Sequence, residues 1–187
     1  MRISAGEHRG RRLQSPKGQR TRPTSDLLRQ AMFNVVETRV QGARVLDVFA
    51  GTGAVGLEAL SRGAAAVTFV ERDRQALASL RANLASLGVA SRARVIAGDA
   101  LAALAELARA RESFECVFVD PPYDSELALR SVEVLAPGGI LSENALLVVQ
   151  AFHKSVLPAR IETLSRWWDR RYGETRLTVY RKESECP

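Results

Sequence analysis

Asp120-Pro121-Pro122-Tyr123 follows directly on the apolar run Val117-Phe118-Val119. Proline has no N–H to give to a sheet, so a buried strand must stop there. It also holds the residue before it extended, which fixes Asp120. The product is a stiff tip carrying a carboxylate, a bare carbonyl and an aromatic ring. That set suits an exocyclic amine on a purine, whose nitrogen lone pair is delocalised into the ring and poorly nucleophilic. The Asp120 carboxylate and the Pro121 carbonyl can each accept one N–H of such an amine, favouring a pyramidal nitrogen whose lone pair is free to attack. Pro122 adds stiffness without adding a competing donor, and Tyr123 can stack on the base. Catalysis of this kind is positioning plus stabilisation of developing positive charge.

A strand end of this sort needs a sheet behind it. From residue 44 the chain alternates apolar runs with amphipathic ones. Strands are expected over 44–50, 66–71, 92–98, 114–120 and 145–150, with helices over 56–63, 74–88, 99–111 and 125–139. Apolar strands separated by helices imply a parallel sheet covered on both faces. Residues 160–182 read instead as two long strands joined near Tyr172-Gly173. The expected fold is therefore α/β: a doubly wound, mostly parallel seven-stranded sheet with an antiparallel C-terminal pair.

Ahead of it, residues 1–40 form an extension to a domain spanning 41–187. Ile3 and Leu13 flank a glycine-punctuated centre, as in a short hairpin, and 16–23 read as a loop. Residues 24–40 read as a helix capped by Thr24, Ser25 or Asp26, with Leu27, Leu28, Ala31, Met32, Val35 and Val36 on its buried face.

In doubly wound sheets, ligands sit beyond the carboxyl ends of the strands. After the first strand, residues 51–56 match G-x-G-x-x-G, by itself a weak sign of a nucleotide. Asp47 sits just before this turn, where its charge would repel a pyrophosphate and suit an ammonium. Glu71, at the second strand end, can accept from ribose hydroxyls. After the third, Asp99 can accept from an adenine amine while the Ala100 N–H donates to the ring. Asp47, Gly51, Gly53, Glu71 and Asp99 at successive strand ends fit ribose, adenine and an amino-acid tail. That is S-adenosylmethionine, with Phe49, Arg72 and Ala100 as further cofactor-binding positions. Each acid taken singly is more often a helix cap or a solvated turn.

The segments VLDVFAGTGAVGLEALSRGA, FVERD, GDA and VDPPY, in this order, resemble the Rossmann-type S-adenosylmethionine-dependent methyltransferases. With RISAGEHRGRRL, TRPTSDLLRQAMFN and YGETRL, nearly the whole chain resembles the bacterial 16S rRNA (guanine(966)-N(2))-methyltransferase family. The resemblance implies a class I methyltransferase sheet and methylation of a guanine N2 amine in 16S rRNA or the small ribosomal subunit. It implies that Asp120, Pro121, Pro122 and Tyr123 act on the base. Gln30 and Gln150 stand where that family usually has acids.

Charge fits such a partner. The formal net charge is +6, and residues 1–22 hold seven basic side chains against the single acid Glu7. The remaining residues balance. A basic arm on a neutral body suits a polyanion, with Arg9, Arg11, Arg12, Lys17, Arg20 and Arg22 as RNA contacts, although a solvated tail would have the same composition. No apolar run reaches membrane-spanning length, no signal peptide opens the chain, and Cys116 and Cys186 suggest neither a disulfide nor a zinc site. His8 and His153 are isolated, so no metal or triad is expected. Trp167 and Trp168 are expected to pack on the sheet. The expectation is a cytoplasmic monomer. Two alternatives remain: an adenine-N6 nucleic-acid methyltransferase, and a non-catalytic RNA-binding protein with a methyltransferase-like fold. A nicotinamide enzyme is disfavoured by Asp47 and by the prolines.

Overall fold

A computed structural model describes residues 1–16, 26–122, 125–137 and 139–183. Lys17, Arg20, Arg22, Tyr123 and Cys186 lie outside the described residues, as do the cap positions Thr24 and Ser25. The apolar runs become strands β1 (Arg44–Val48), β2 (Ala66–Glu71), β3 (Ala93–Ala97), β4 (Phe114–Val119) and β5 (Leu141–Phe152). The C-terminal part supplies β6 (Arg160–Ile161), β7 (Leu164–Tyr172) and β8 (Thr175–Lys182). The helices are α1 (Asp26–Val40), α2 (Ala54–Ser61), α3 (Arg74–Leu87), α4 (Ala100–Arg109) and α5 (Ser125–Leu135).

All the strands join one sheet in the order β3-β2-β1-β4-β5-β8-β7-β6. The first five run parallel and β8, β7 and β6 antiparallel. The sheet has eight strands, not seven; the addition is β6, two residues that turn back onto Leu164 and Ser165. Alternation along the strands sorts side chains to two cores, one on each face. Val45, Phe69, Phe118 and Val148 pack with α1, α2 and α3, while Leu46, Val70, Val119 and Val149 pack with α4 and α5. β5 begins earlier than expected: a register shift against β4, with Asn144 at φ 58, absorbs the polar Ser142-Glu143-Asn144.

The arm is docked, not free. Arg2 and Arg12 form a single antiparallel bridge, and Ile3 and Leu13 are buried in the core beneath it. At its turn the backbone meets the end of α2: Glu7 N donates to Ser61 O at 2.8 Å and His8 N to Ser61 Oγ at 2.9 Å. A Cβ on Gly6 would lie 1.8 Å from Ser61 O, so only glycine permits this approach.

α1 is rotated from the expected face. Leu27 is 65% exposed, whereas Arg29 and Phe33 are fully buried. Arg29 turns inward because Glu58, also fully buried, lies opposite it at 3.4 Å. Phe33 stacks between Phe118, 5.3 Å away, and the Arg62 guanidinium, 4.8 Å away. The adjacent tryptophans also differ. Trp168 packs on the core, but Trp167 stands 49% exposed beside a bulge, under the Arg181 guanidinium.

Glu58 gathers donors from three separate segments. It accepts from Ser4 N at 2.8 Å, Ser4 Oγ at 2.6 Å, Ala5 N at 3.0 Å and Arg62 Nε at 2.9 Å, and it faces Arg29. Removing one partner of a buried pair leaves the other charge uncompensated, which costs roughly 3–5 kcal/mol. Glu58→Ala should lower unfolding stability by about that much in urea titrations, and Glu58→Gln by less because it keeps an acceptor. A loss below about 1 kcal/mol for the alanine variant would contradict this account.

Candidate active site

A cavity of about 560 Å³ opens at the carboxyl ends of β1 to β5, astride the point where strand order reverses between β1 and β4. That volume is ordinary for a site holding a cofactor-sized ligand. Its wall includes Phe49, Gly51, Glu71, Arg72, Asp99, Ala100, Asp120, Pro121 and Pro122, so most of the expected site residues come together. Asp47 and Gly53 stand behind the wall instead. Met1, Ser15 and Pro16 of the arm complete it.

The turn after β1 is set by backbone geometry. Phe49 takes φ 64, a left-handed conformation that costs a non-glycine residue about 1–2 kcal/mol. Ala50 N then bonds to Val70 O at 2.9 Å and Gly53 N to Ala50 O at 2.8 Å. Gly51 has open space where a Cβ would be, so a side chain there would enter the cavity. Gly53 differs: a Cβ would lie 2.3 Å from Leu80 Cδ1, and its φ is 83. Its lack of a side chain serves packing beneath the loop.

Glu71 ties this loop to β2. One carboxylate oxygen accepts from Gly51 N at 2.7 Å, the other from Arg72 N and Asp73 N at 2.8 Å each. A carboxylate has about four acceptor sites, so about one remains for a ligand. Asp99 caps α4, with Oδ1 accepting from Leu101 N at 3.0 Å and Ala102 N at 3.2 Å, and it is exposed to the cavity as well.

Asp47 is 1% exposed and accepts from Gly56 N at 2.8 Å, so its charge reaches a ligand only through the loop. Burial raises its pKa to about 7, the Gly56 bond opposes the rise, and the nearby Asp120 and Glu71 charges add to it. The site therefore concentrates negative potential, as suits a cation.

A family model described as Conserved hypothetical protein 95 matches residues 1–181. Ribosomal RNA small subunit methyltransferase D of Escherichia coli (strain K12) is 36% identical over 99% of this chain and 91% of its own length. The chain belongs to this family of methyltransferases. YlbH of Bacillus subtilis (strain 168) is 34% identical over 97% of this chain and 99% of its own. The solved structure of yhhF from Escherichia coli superposes with a TM-score of 0.87 at 36% identity, covering 99% of both chains. SMU.776, solved with SAH, shares the fold at a TM-score of 0.69 and 14% identity, covering 81% of this chain and 48% of that one.

Within this methyltransferase site, sequence reasoning missed Asn83. Fully buried on α3, it donates to Thr52 O and Gln14 O at 3.1 Å each and accepts from Gln14 N at 2.7 Å. It thereby ties the arm to the glycine loop. The available signal was an amide among Leu77, Leu80, Leu84 and Leu87 on the buried face of α3. Gln150, noted only as a departure from the family pattern, also lines the cavity.

Asp47 has a folded-state pKa raised from 3.8 to about 7. Its contribution to stability is full below about pH 4 and is lost as pH rises through about 7. Over that window the loss is on the order of 4 kcal/mol. Asp47→Asn keeps an acceptor for Gly56 N and removes the titration. Its unfolding midpoint between about pH 5 and pH 8 should vary less than that of the parent, measured without ligand. Parallel pH profiles would disprove the assignment.

Proposed function

We propose that this chain transfers a methyl group from S-adenosylmethionine to the exocyclic N2 amine of a guanine in small-subunit (16S) ribosomal RNA, in the bacterial cytoplasm. The observation that carries this reading is that the Asp120-Pro121-Pro122 tip and the cofactor-type strand ends share one cavity. The small-subunit methyltransferase relative and the SAH complex of a protein with the same fold support the substrate and the cofactor.

The residues present fit that cofactor. Gly51 leaves open space, Glu71 keeps an acceptor that is assigned to a ribose hydroxyl, and Asp99 with the Ala100 N–H, both at the cavity, is assigned to the adenine. Phe49 and Arg72 add wall area, while Asp47 supplies potential for the ammonium from behind the loop. S-adenosylmethionine, when bound, supplies an electrophilic methyl on a sulfonium. The protein's own part is to prepare the amine. Asp120 and the Pro121 carbonyl take its two N–H groups and localise the lone pair; the Asp120 carboxylate is then an acceptor for the proton the nitrogen must lose. Tyr123, by its place in the motif, is assigned to stacking on the base.

Residues 1–40 serve in this reading as the RNA-binding extension of the 41–187 methyltransferase domain. Arg9 and Arg12 are exposed, and Arg11 spends a donor on Ser86 O at 2.8 Å. Lys17, Arg20 and Arg22 are assigned with them from sequence alone.

Mass mapping of methylated nucleotides in 16S rRNA, from a deletion strain and after treatment with purified protein, tests the reaction. N2-methylguanosine should disappear in the strain and be restored in vitro; any other restored product would reject the assignment. Asp120→Ala should lower single-turnover methyl transfer by roughly two to four orders of magnitude while calorimetric cofactor affinity stays near the parent's. Glu71→Ala should weaken that affinity by about 1–3 kcal/mol. For the arm, Arg9→Glu combined with Arg12→Glu should flatten the log K versus log[salt] slope of RNA binding by roughly 0.7–0.9 for each phosphate that the arm no longer neutralises. An unchanged slope would remove the arm from the RNA surface.

A further inference from the structure

Gln150 is buried, 7% exposed, and lines the cavity, yet its Oε1 accepts no hydrogen bond from any described residue. A buried amide oxygen left without a donor is destabilising, and native chains rarely retain one without a reason. Its position supplies the reason. Val119 of β4 pairs with Val149 of β5, so Asp120 and Gln150 stand one step further along on neighbouring strand ends. Phe118 and Val148 share one core, which puts Asp120 and Gln150 on that same face of the sheet.

The sheet order also separates Gln150 from the cofactor residues. Glu71 ends β2, three strands from β5, about 14 Å at the usual strand spacing. Gln150 therefore lies beyond Asp120 on the side away from Glu71 and Asp99, where the base must lie if Asp120 holds its amine. On the guanine edge, the group next to the 2-amino group is N1–H, a donor that needs an acceptor. In adenine the group next to the amine is an unprotonated N1, an acceptor.

We propose that Gln150 is a specificity-determining residue whose Oε1 accepts the N1–H of the guanine held at Asp120. This rests on the guanine-N2 reading given above. A site built to satisfy a donor discriminates strongly against a base that lacks it, because its own polar group is then left unpaired. The buried, waiting oxygen is what makes this discrimination effective.

The test uses small-subunit particles reconstituted with 16S rRNA carrying either guanine or 2-aminopurine at the methylated position. 2-Aminopurine keeps the 2-amino group and lacks N1–H. The parent protein should form N2-methylguanosine and favour guanine in kcat/KM. Gln150→Leu should lower kcat/KM for guanine by about 10–100-fold and change it little for 2-aminopurine, removing the preference. Gln150→Glu, which still offers an acceptor, should keep the preference. Equal losses on both bases for Gln150→Leu, or a preference lost in Gln150→Glu, would overturn the role of Gln150 and leave the guanine-N2 reading standing. A parent enzyme whose product is not N2-methylguanosine would overturn that reading first, and this inference with it.

Discussion

The buried carboxylate of Glu58 is the interaction on which the arrangement depends. A charge removed from water must be met by donors with good geometry, or it destabilises the fold. Here the hydrogen bonds come from the arm and from Arg62 at the end of α2, and Arg29 on α1 adds an opposite charge at 3.4 Å. Satisfying one carboxylate therefore fixes three segments relative to the sheet. The inward turn of Arg29 on α1, the approach of Gly6 to Ser61 and the burial of Ile3 and Leu13 surround that convergence. The docked arm also brings Met1 to the cavity wall.

The same logic recurs beside the cavity at smaller scale. Asn83 meets both the arm at Gln14 and the glycine loop at Thr52. The Glu71 carboxylate joins that loop to the end of β2. The arm, the glycine loop and the end of β2 therefore belong to one hydrogen-bonded frame. Rigid framing of this kind suits chemistry that proceeds by positioning, where small misplacements are costly.

Electrostatics and packing divide the work among the strand ends. Asp47 is withdrawn behind the loop and bonded to Gly56 N, while the Asp120 and Glu71 carboxylates on the cavity wall give the pocket a negative bias and help to raise the Asp47 pKa. Gly51 keeps space open, while Gly53 lets the loop settle onto Leu80. Neighbouring glycines of one motif thus do different jobs, and only the direction of the missing Cβ tells them apart.

The sequence by itself determined the parallel strands, their helices and the C-terminal antiparallel pair, because periodicity and turn chemistry are local. It determined the Asp120-Pro121-Pro122 tip for the same reason: proline's restrictions act on its immediate neighbours. That Glu71, Asp99 and Asp120 would lie near one another followed from a general rule of doubly wound sheets. What only the tertiary structure decided concerns partners distant in the chain. Arg29 and Glu58 are both charged residues that local pattern assigns to solvent; each is buried facing the other and is met by the arm, Arg29 at Arg2 O and Glu58 at Ser4 and Ala5. On the same helix Leu27 is exposed, and Phe33 is buried between Phe118 and Arg62. Asn83 reads as a flaw in an apolar face until Gln14 is brought to it across the fold. Gln150 reads only as a departure from a family pattern until β4 and β5 pair in register, Val119 with Val149, and bring it to the cavity wall with Asp120. A local pattern specifies which face a residue shares with its near neighbours. It carries no information on which polar group will be waiting there, and that is settled only when the chain closes.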